Sequence, residues 1–174
     1  MMEHKKILLV GFGPLEEKLT VLLAPYGWEI QTVQPSQMNQ TIGELCRYGE
    51  NIAQEPPMER GTVLFWNFSQ QELDPALKVL REAGIPRQPH KAMVTPTNWH
   101  WKLSALLQEL AQEQLVMGEL IKLKKLRDQM PVPAFTDIPA MRARMQAEML
   151  LKGGEDATAE NIRRAYEELA KFAK

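Results

Sequence analysis

The feature that most constrains the fold of this chain is an alternation of short apolar runs with helix-like stretches between Lys6 and about Leu126. Ile7–Val10 is apolar without interruption, which is typical of a central strand covered on both faces. Thr62–Trp66 has the same character. Strand-like runs that alternate with helical patterns predict successive βα units and a mainly parallel sheet. Two further β-rich runs are Trp28–Val33 and Lys91–Thr95.

Caps and breakers mark the helices between these strands. Pro14 suits a first helical position and predicts a helix over Leu15–Leu23. The capping box that begins at Thr41 predicts a short helix from Ile42 to about Tyr48. We therefore expect an α/β fold, a small three-layer, mainly parallel sheet of four strands in the order 2-1-3-4. A ferredoxin-like α+β sheet is the alternative if residues 41–48 are not helical.

A long helix follows the last strand. Asn98 is a good cap, and an apolar stripe then continues to Ile121, so we expect a helix that ends near Gln129. Met130–Pro133 breaks the pattern, and two helices separated by Gly153-Gly154 follow it. These patterns predict an α/β domain over residues 1–129 and a C-terminal helical extension over residues 130–174.

Composition and charge exclude several classes of protein. Of the 174 residues, 44% are hydrophobic and 25% are charged, which is typical of a globular chain. Lys and Arg number 21 against 22 Asp and Glu, so the chain lacks the positive field of a nucleic-acid-binding protein. The single cysteine favours a reducing, cytoplasmic location, and no apolar run is long enough to span a membrane.

Polar residues follow the strands at the ends where open α/β sheets bind ligands. Gly11, Phe12 and Gly13 form a tight turn into a helix, but Glu16 occupies the place of the third glycine in a dinucleotide fingerprint. Turn geometry is therefore the favoured role of these glycines. The candidate ligand-binding residues are Gly11, Phe12, Gly13, Asn67, Ser69, Thr95, Thr97 and Asn98.

No catalytic or metal-binding constellation is visible. Cys46 lies on the apolar side of its predicted helix, where a buried small hydrophobe is the favoured interpretation. One Cys and three His cannot build a thiolate zinc site. The Trp99-His100-Trp101 group has the chemistry to stack a flat ligand, although core or interface packing is favoured. We expect no catalytic residue, no metal and no cofactor.

The region from about Lys6 to Glu113 resembles an uncharacterised bacterial family, domain of unknown function 3783. Its most specific part is the threonine, asparagine and tryptophan run of Thr95–Trp101. The resemblance implies no activity, cofactor or catalytic residue. The other matching segments are Ile7–Phe12, Thr41–Leu45, Leu64–Phe68, Arg81–Ile85 and Leu103–Leu107.

The leading functional hypothesis is a non-enzymatic interaction or regulatory module that self-associates as a homo-oligomer, with a homodimer as the simplest case. The apolar helical surface exceeds what one small sheet can cover. Another protein is the alternative partner, and no nucleic acid or membrane is expected. A small-ligand protein that binds a nucleotide or anion at the strand ends is the alternative function. The candidate interface residues are Leu107, Leu110, Met117 and Ile121.

Overall fold

The computed structural model describes residues 4–50, 52–85, 88–154 and 156–173. The chain divides into two compact units, Met1–Gln108 and Glu109–Lys174, so the division falls within the long helix, earlier than the predicted boundary after residue 129. The described residues form four strands, β1 (Lys6–Val10), β2 (Glu29–Val33), β3 (Thr62–Trp66) and β4 (His90–Met93). They also form six α-helices, α1 (Leu15–Leu23), α2 (Ile42–Tyr48), α3 (Leu73–Glu82), α4 (Leu103–Gln129), α5 (Ile138–Leu151) and α6 (Ala159–Ala170).

The four strands form one sheet in the order β2-β1-β3-β4, and the fold class is mixed α/β. This strand order was predicted. β1 pairs parallel to β2, and β3 pairs parallel to β4. The central pair of β1 and β3 is antiparallel, with Lys6 opposite Trp66 and Val10 opposite Thr62.

The prediction of a mainly parallel sheet is therefore wrong at the central pair. For β3 to run parallel to β1, the connection between them would have to return to the end of the sheet where β1 begins. The connection through α2 instead stays at the edge where β1 ends, because the Met58 amide donates a hydrogen bond to the Gly11 carbonyl. β3 consequently starts beside Val10 and runs back along β1. The short helix predicted from Ile42 to about Tyr48 is present as α2, so the condition for the alternative ferredoxin-like sheet is not met.

One apolar core of the first unit lies on the sheet face that carries Ile7 and Leu9. These side chains are buried with residues of α1 and α3, and Phe65 packs edge-on against Phe68. Leu19 and Leu80 are at most 1% exposed, so both helices bury an apolar side here.

The other face of the sheet combines polar residues with the fully buried Leu8, Val10 and Leu64. Paired residues share a face, so Lys6 of β1 lies on the same side as Glu29, Gln31 and Trp66. Lys6 and Gln31 are buried there. Thr41 caps α2, because its hydroxyl accepts a hydrogen bond from the Glu44 amide as the capping box predicts. The polar residues of this face supply groups for a site.

The second unit has a core of its own. Leu123 of α4 is fully buried with Ala147 of α5 and with Ile162 and Leu169 of α6. Asp137 and Thr158 cap α5 and α6 by accepting hydrogen bonds from backbone amides. The predicted pair of C-terminal helices is therefore present and buries its apolar sides within this unit.

Candidate functional site

The antiparallel central pair separates the residues that the sequence placed at one sheet edge. Gly11, Phe12 and Gly13 follow β1, whereas Asn67 follows β3, which runs in the opposite direction. The first group therefore lies at one edge of the sheet, and Asn67 lies at the other, where its side-chain amide donates to the His4 carbonyl over 3.2 Å. The cavity that Asn67 lines does not include the three residues that follow β1.

The glycine turn after β1 is closed to a ligand. Gly11 and Gly13 have φ values of 65° and 55°, which favour glycine, and side chains of Met58 and Pro57 occupy the space where a Cβ would lie. The amides of Gly11, Leu15 and Glu16 already donate to backbone carbonyls. The Glu16 carboxylate is also buried at this turn. These observations support the structural role of the glycines rather than phosphate binding.

The opposite edge of the sheet carries a cavity of about 1030 Å³, which we call the Trp cleft. Two of the predicted ligand-binding residues, Asn67 and Thr95, line it. The cleft combines indole rings with basic side chains and one carboxylate. Its defining residues are Lys6, Glu29, Arg47, Trp66, Thr95 and Trp99.

Trp99 forms part of the wall of the Trp cleft and is held in place by α2. Its carbonyl accepts a hydrogen bond from the Gly43 amide over 2.9 Å, and its ring lies where a side chain at Gly43 would be. The ring centroid is 5.6 Å from that of Trp66, with the two planes tilted by 43°. Both tryptophans are half-buried, so each presents part of an indole to the cleft.

Only one of the two cationic side chains of the Trp cleft, Lys6, is paired with a carboxylate of the described residues. The ammonium of Lys6 is 2.7 Å from the Glu29 carboxylate and donates to the Gln31 carboxamide over 3.2 Å. Arg47 instead lies over the Trp99 ring, with its guanidinium carbon 5.0 Å from the centroid. Within the described residues, no carboxylate forms an ion pair with Arg47. The guanidinium is therefore available to an anion.

Cys46 also borders the Trp cleft but is 1% exposed. Burial raises the pKa of its thiol to about 12, and the nearby Lys6 charge only partly opposes this shift. A protonated, inaccessible thiol is not a nucleophile. This agrees with the sequence interpretation of Cys46 as a buried small hydrophobe.

The remaining predicted ligand-binding residues stabilise local structure. Ser69 and Glu72 form a capping box at the start of the turn before α3. Asn98 does not cap α4, which begins at Leu103. Its side chain instead accepts from the Thr95 amide over 2.8 Å and donates to the Met93 carbonyl over 2.9 Å. Thr97 is exposed and does not line the Trp cleft.

The predicted interface residues fall on one stripe of α4. Leu107 and Leu110 are half-buried, whereas Met117 is 55% and Ile121 is 64% exposed. A helix advances about 100° per residue, so Leu123 lies on a different side of α4, where it joins the core of the second unit. The stripe from Leu107 to Ile121 is thus a second candidate site.

Sequence reasoning did not single out four residues of the Trp cleft, Lys6, Glu29, Arg47 and Trp66. Each belongs to a regular element, and only the pairing of β1 with β2 and β3 brings three of them together. One signal was present, because a lysine that begins the otherwise apolar strand KILLV needs a partner when buried. Arg47 carries no such local signal.

None of the described helices combines the length and apolar content needed to cross a bilayer. Across the ranges that the structure describes, no group of three His, Cys, Asp or Glu side chains is arranged to hold a metal ion.

One comparison with known proteins covers the part of the chain that supplies Trp66, Thr95 and Trp99 to the Trp cleft. No curated protein and no solved structure matches the chain significantly. A family model confirms the resemblance seen in the sequence over part of its extent. Residues 62–117, from β3 into α4, match the family described as Domain of unknown function (DUF3783).

Proposed function

We propose that the protein is an interaction module that self-associates through α4, by pairing the stripe from Leu107 to Ile121 with the same stripe of a second copy. The observation that carries this proposal is the exposure of Met117 and Ile121, both more than half exposed on a regular helix. Large apolar side chains that are exposed together mark interaction surfaces more often than isolated ones do. The single cysteine suits the cytoplasm, where we place this association.

The spacing of the stripe supports a helical partner. Its members alternate steps of three and four residues, which is the heptad pattern of a helix–helix seam. One polar residue, Gln114, interrupts the apolar series. A single polar residue in such a seam commonly fixes the register and orientation of the pair. The members of the stripe are Leu107, Leu110, Gln114, Met117 and Ile121.

The symmetry of the stripe supports a second copy as the partner. Leu107 lies seven residues before Gln114 and Ile121 lies seven after it, while Leu110 and Met117 lie four before and three after. An antiparallel pair centred on Gln114 therefore places Leu107 opposite Ile121 of the second copy and brings the two Gln114 side chains together. Leu110 and Met117 then lie one residue out of register with each other. Such self-complementarity is what a two-fold interface requires. Gly118 borders the stripe, and among the described residues, apart from its own helix backbone and chain neighbours, no atom lies within 4 Å of a Cβ built on it, which leaves room for close approach.

Met117→Asp tests this proposal. A carboxylate at the seam would be buried without a partner, so we expect the association constant to fall by more than about tenfold. Sedimentation velocity at micromolar concentrations measures it. Met117 is exposed, so the fold should be retained, which circular dichroism checks.

Gln112→Asp is the matched control, since it adds the same charge at an exposed position of α4 outside the stripe. We expect this variant to associate like the wild type. A wild-type protein that remains monomeric throughout the micromolar range contradicts the proposal. So does an associated wild type that Met117→Asp leaves intact.

A further inference from the structure

We propose that the Trp cleft binds a small planar anion, an aromatic or heteroaromatic ring that carries a carboxylate or phosphate group. The ring would pack against Trp99 and Trp66, and the anionic group would pair with the Arg47 guanidinium. This site is separate from the α4 stripe in residues and in chemistry.

The planar part of the proposal rests on the two indoles. Trp66 and Trp99 line the cavity together and are both half-buried. Indole rings held by the fold offer a flat apolar surface on which another ring stacks at little entropic cost. Trp99 is held in place by its hydrogen bond with Gly43 and by its packing against that glycine. The stacking surface is therefore present before a ligand binds.

The anionic part of the proposal rests on the balance of charge. The titratable groups that line the Trp cleft are basic or neutral apart from Glu29, whose carboxylate is paired with Lys6. Arg47 supplies a second positive charge that no described carboxylate neutralises. A cationic ligand would be repelled by it. The other titratable groups of the lining are His4, Cys46 and His100.

Arg47 is also oriented for recognition. Its contact with the Trp99 ring restricts the guanidinium to one side of the indole, where planar donors can meet a carboxylate or phosphate in a bidentate arrangement. Thr95 adds a polar group to the lining: its hydroxyl accepts from the Asn98 amide over 3.3 Å, and a hydroxyl that accepts in this way can still donate its proton. A ring with an anionic substituent matches this set of groups.

The volume of the Trp cleft agrees with a small molecule. About 1030 Å³ is at the upper end of the range of small-molecule pockets. It has room for an aromatic acid or a mononucleotide. Because the lining suits either a carboxylate or a phosphate, the experiment distinguishes these two sources of charge.

Isothermal titration calorimetry of the full chain tests the proposal with two matched series of probes. The first series is indole-3-acetate, its neutral amide and the cation tryptamine, and the second is AMP against adenosine. We expect the anion of at least one series to bind about tenfold or more tightly than its neutral counterpart, and tryptamine to show no binding. Cyclohexylacetate, an anion without a planar ring, should bind more weakly than indole-3-acetate. A preferred AMP identifies a phosphate ligand, and a preferred indole-3-acetate identifies a carboxylate.

Two variants identify the side chains that bind the anionic group and the ring. Arg47→Gln should remove the preference for the anion while leaving weak binding of the neutral ring, and Trp99→Leu should weaken both. Arg81→Gln is the control, because Arg81 is an exposed arginine of α3 outside the cleft, and it should bind like the wild type. The proposal is overturned if neither anion binds at millimolar concentration, if neutral and anionic probes bind equally, or if Arg47→Gln leaves the preference unchanged.

Discussion

At the scale of single residues, Cys46 shows how burial sets reactivity. Its thiol is 1% exposed, and burial raises its pKa to about 12. Because only the thiolate reacts and burial disfavours it, we expect iodoacetamide to alkylate the native protein far more slowly than an ordinary thiol at pH 8. Intact mass measured over time checks this.

The control for Cys46 is the same reaction in guanidinium chloride, where the thiol is exposed and should be alkylated at an ordinary rate. Equal rates in the native and unfolded protein would show that the thiol is accessible and its pKa ordinary. Ile42 and Leu45 are as fully buried as Cys46, so the apolar pattern of this segment was sufficient to predict which side of α2 faces inward.

At the scale of elements, the contact of α2 with Trp99 gives the next prediction. Alanine in place of glycine within a helix usually stabilises by up to about 1 kcal/mol. At Gly43, however, the new Cβ would lie 2.5 Å from Cε2 of the Trp99 ring, which is part of a rigid indole. We therefore expect Gly43→Ala to destabilise the protein by about 1–3 kcal/mol, measured by urea unfolding.

Gly118→Ala is the matched control for Gly43→Ala, because Gly118 also lies within a helix but has open space around its Cβ. Both are best compared in the Met117→Asp background, where association through α4 is removed. We expect Gly118→Ala to stabilise by up to about 1 kcal/mol. If the two substitutions change the free energy of unfolding alike, Trp99 does not restrict Gly43.

Most elements were predictable because their signals are local. The capping box at Thr41 fixes the start of α2, and the apolar runs of β1 and β3 identify buried strands. The start of α4 was placed too early, at Asn98, because that side chain forms a turn with Thr95 instead of capping the helix. A residue that is suited to cap a helix can equally well satisfy backbone groups in a turn.

The direction of β3 was not predictable from local patterns, and the candidate ligand site depended on it. Strand direction is decided by where a connection ends, here by the bond between Met58 and Gly11, and these residues are far apart in the sequence. With β3 antiparallel to β1, the end of β3 meets the start of β1, so Lys6 lies opposite Trp66. The Trp cleft is therefore a product of long-range pairing, although Asn67 and Thr95 were identified as residues of the strand ends.

At the scale of the whole molecule, the two cores consist of different residues, and this predicts separable stabilities. Leu123 is fully buried in the core of the second unit, and Leu9 is fully buried in that of the first. Leu→Ala at such positions costs about 2–5 kcal/mol. We expect Leu123→Ala to accelerate amide hydrogen exchange in α5 and α6 while leaving the protection of β1 and β3 unchanged, and Leu9→Ala to do the reverse. Exchange that rises in both units after either substitution would mean that the two cores unfold as one, and anion binding in the Trp cleft would then fall with Leu123→Ala as well.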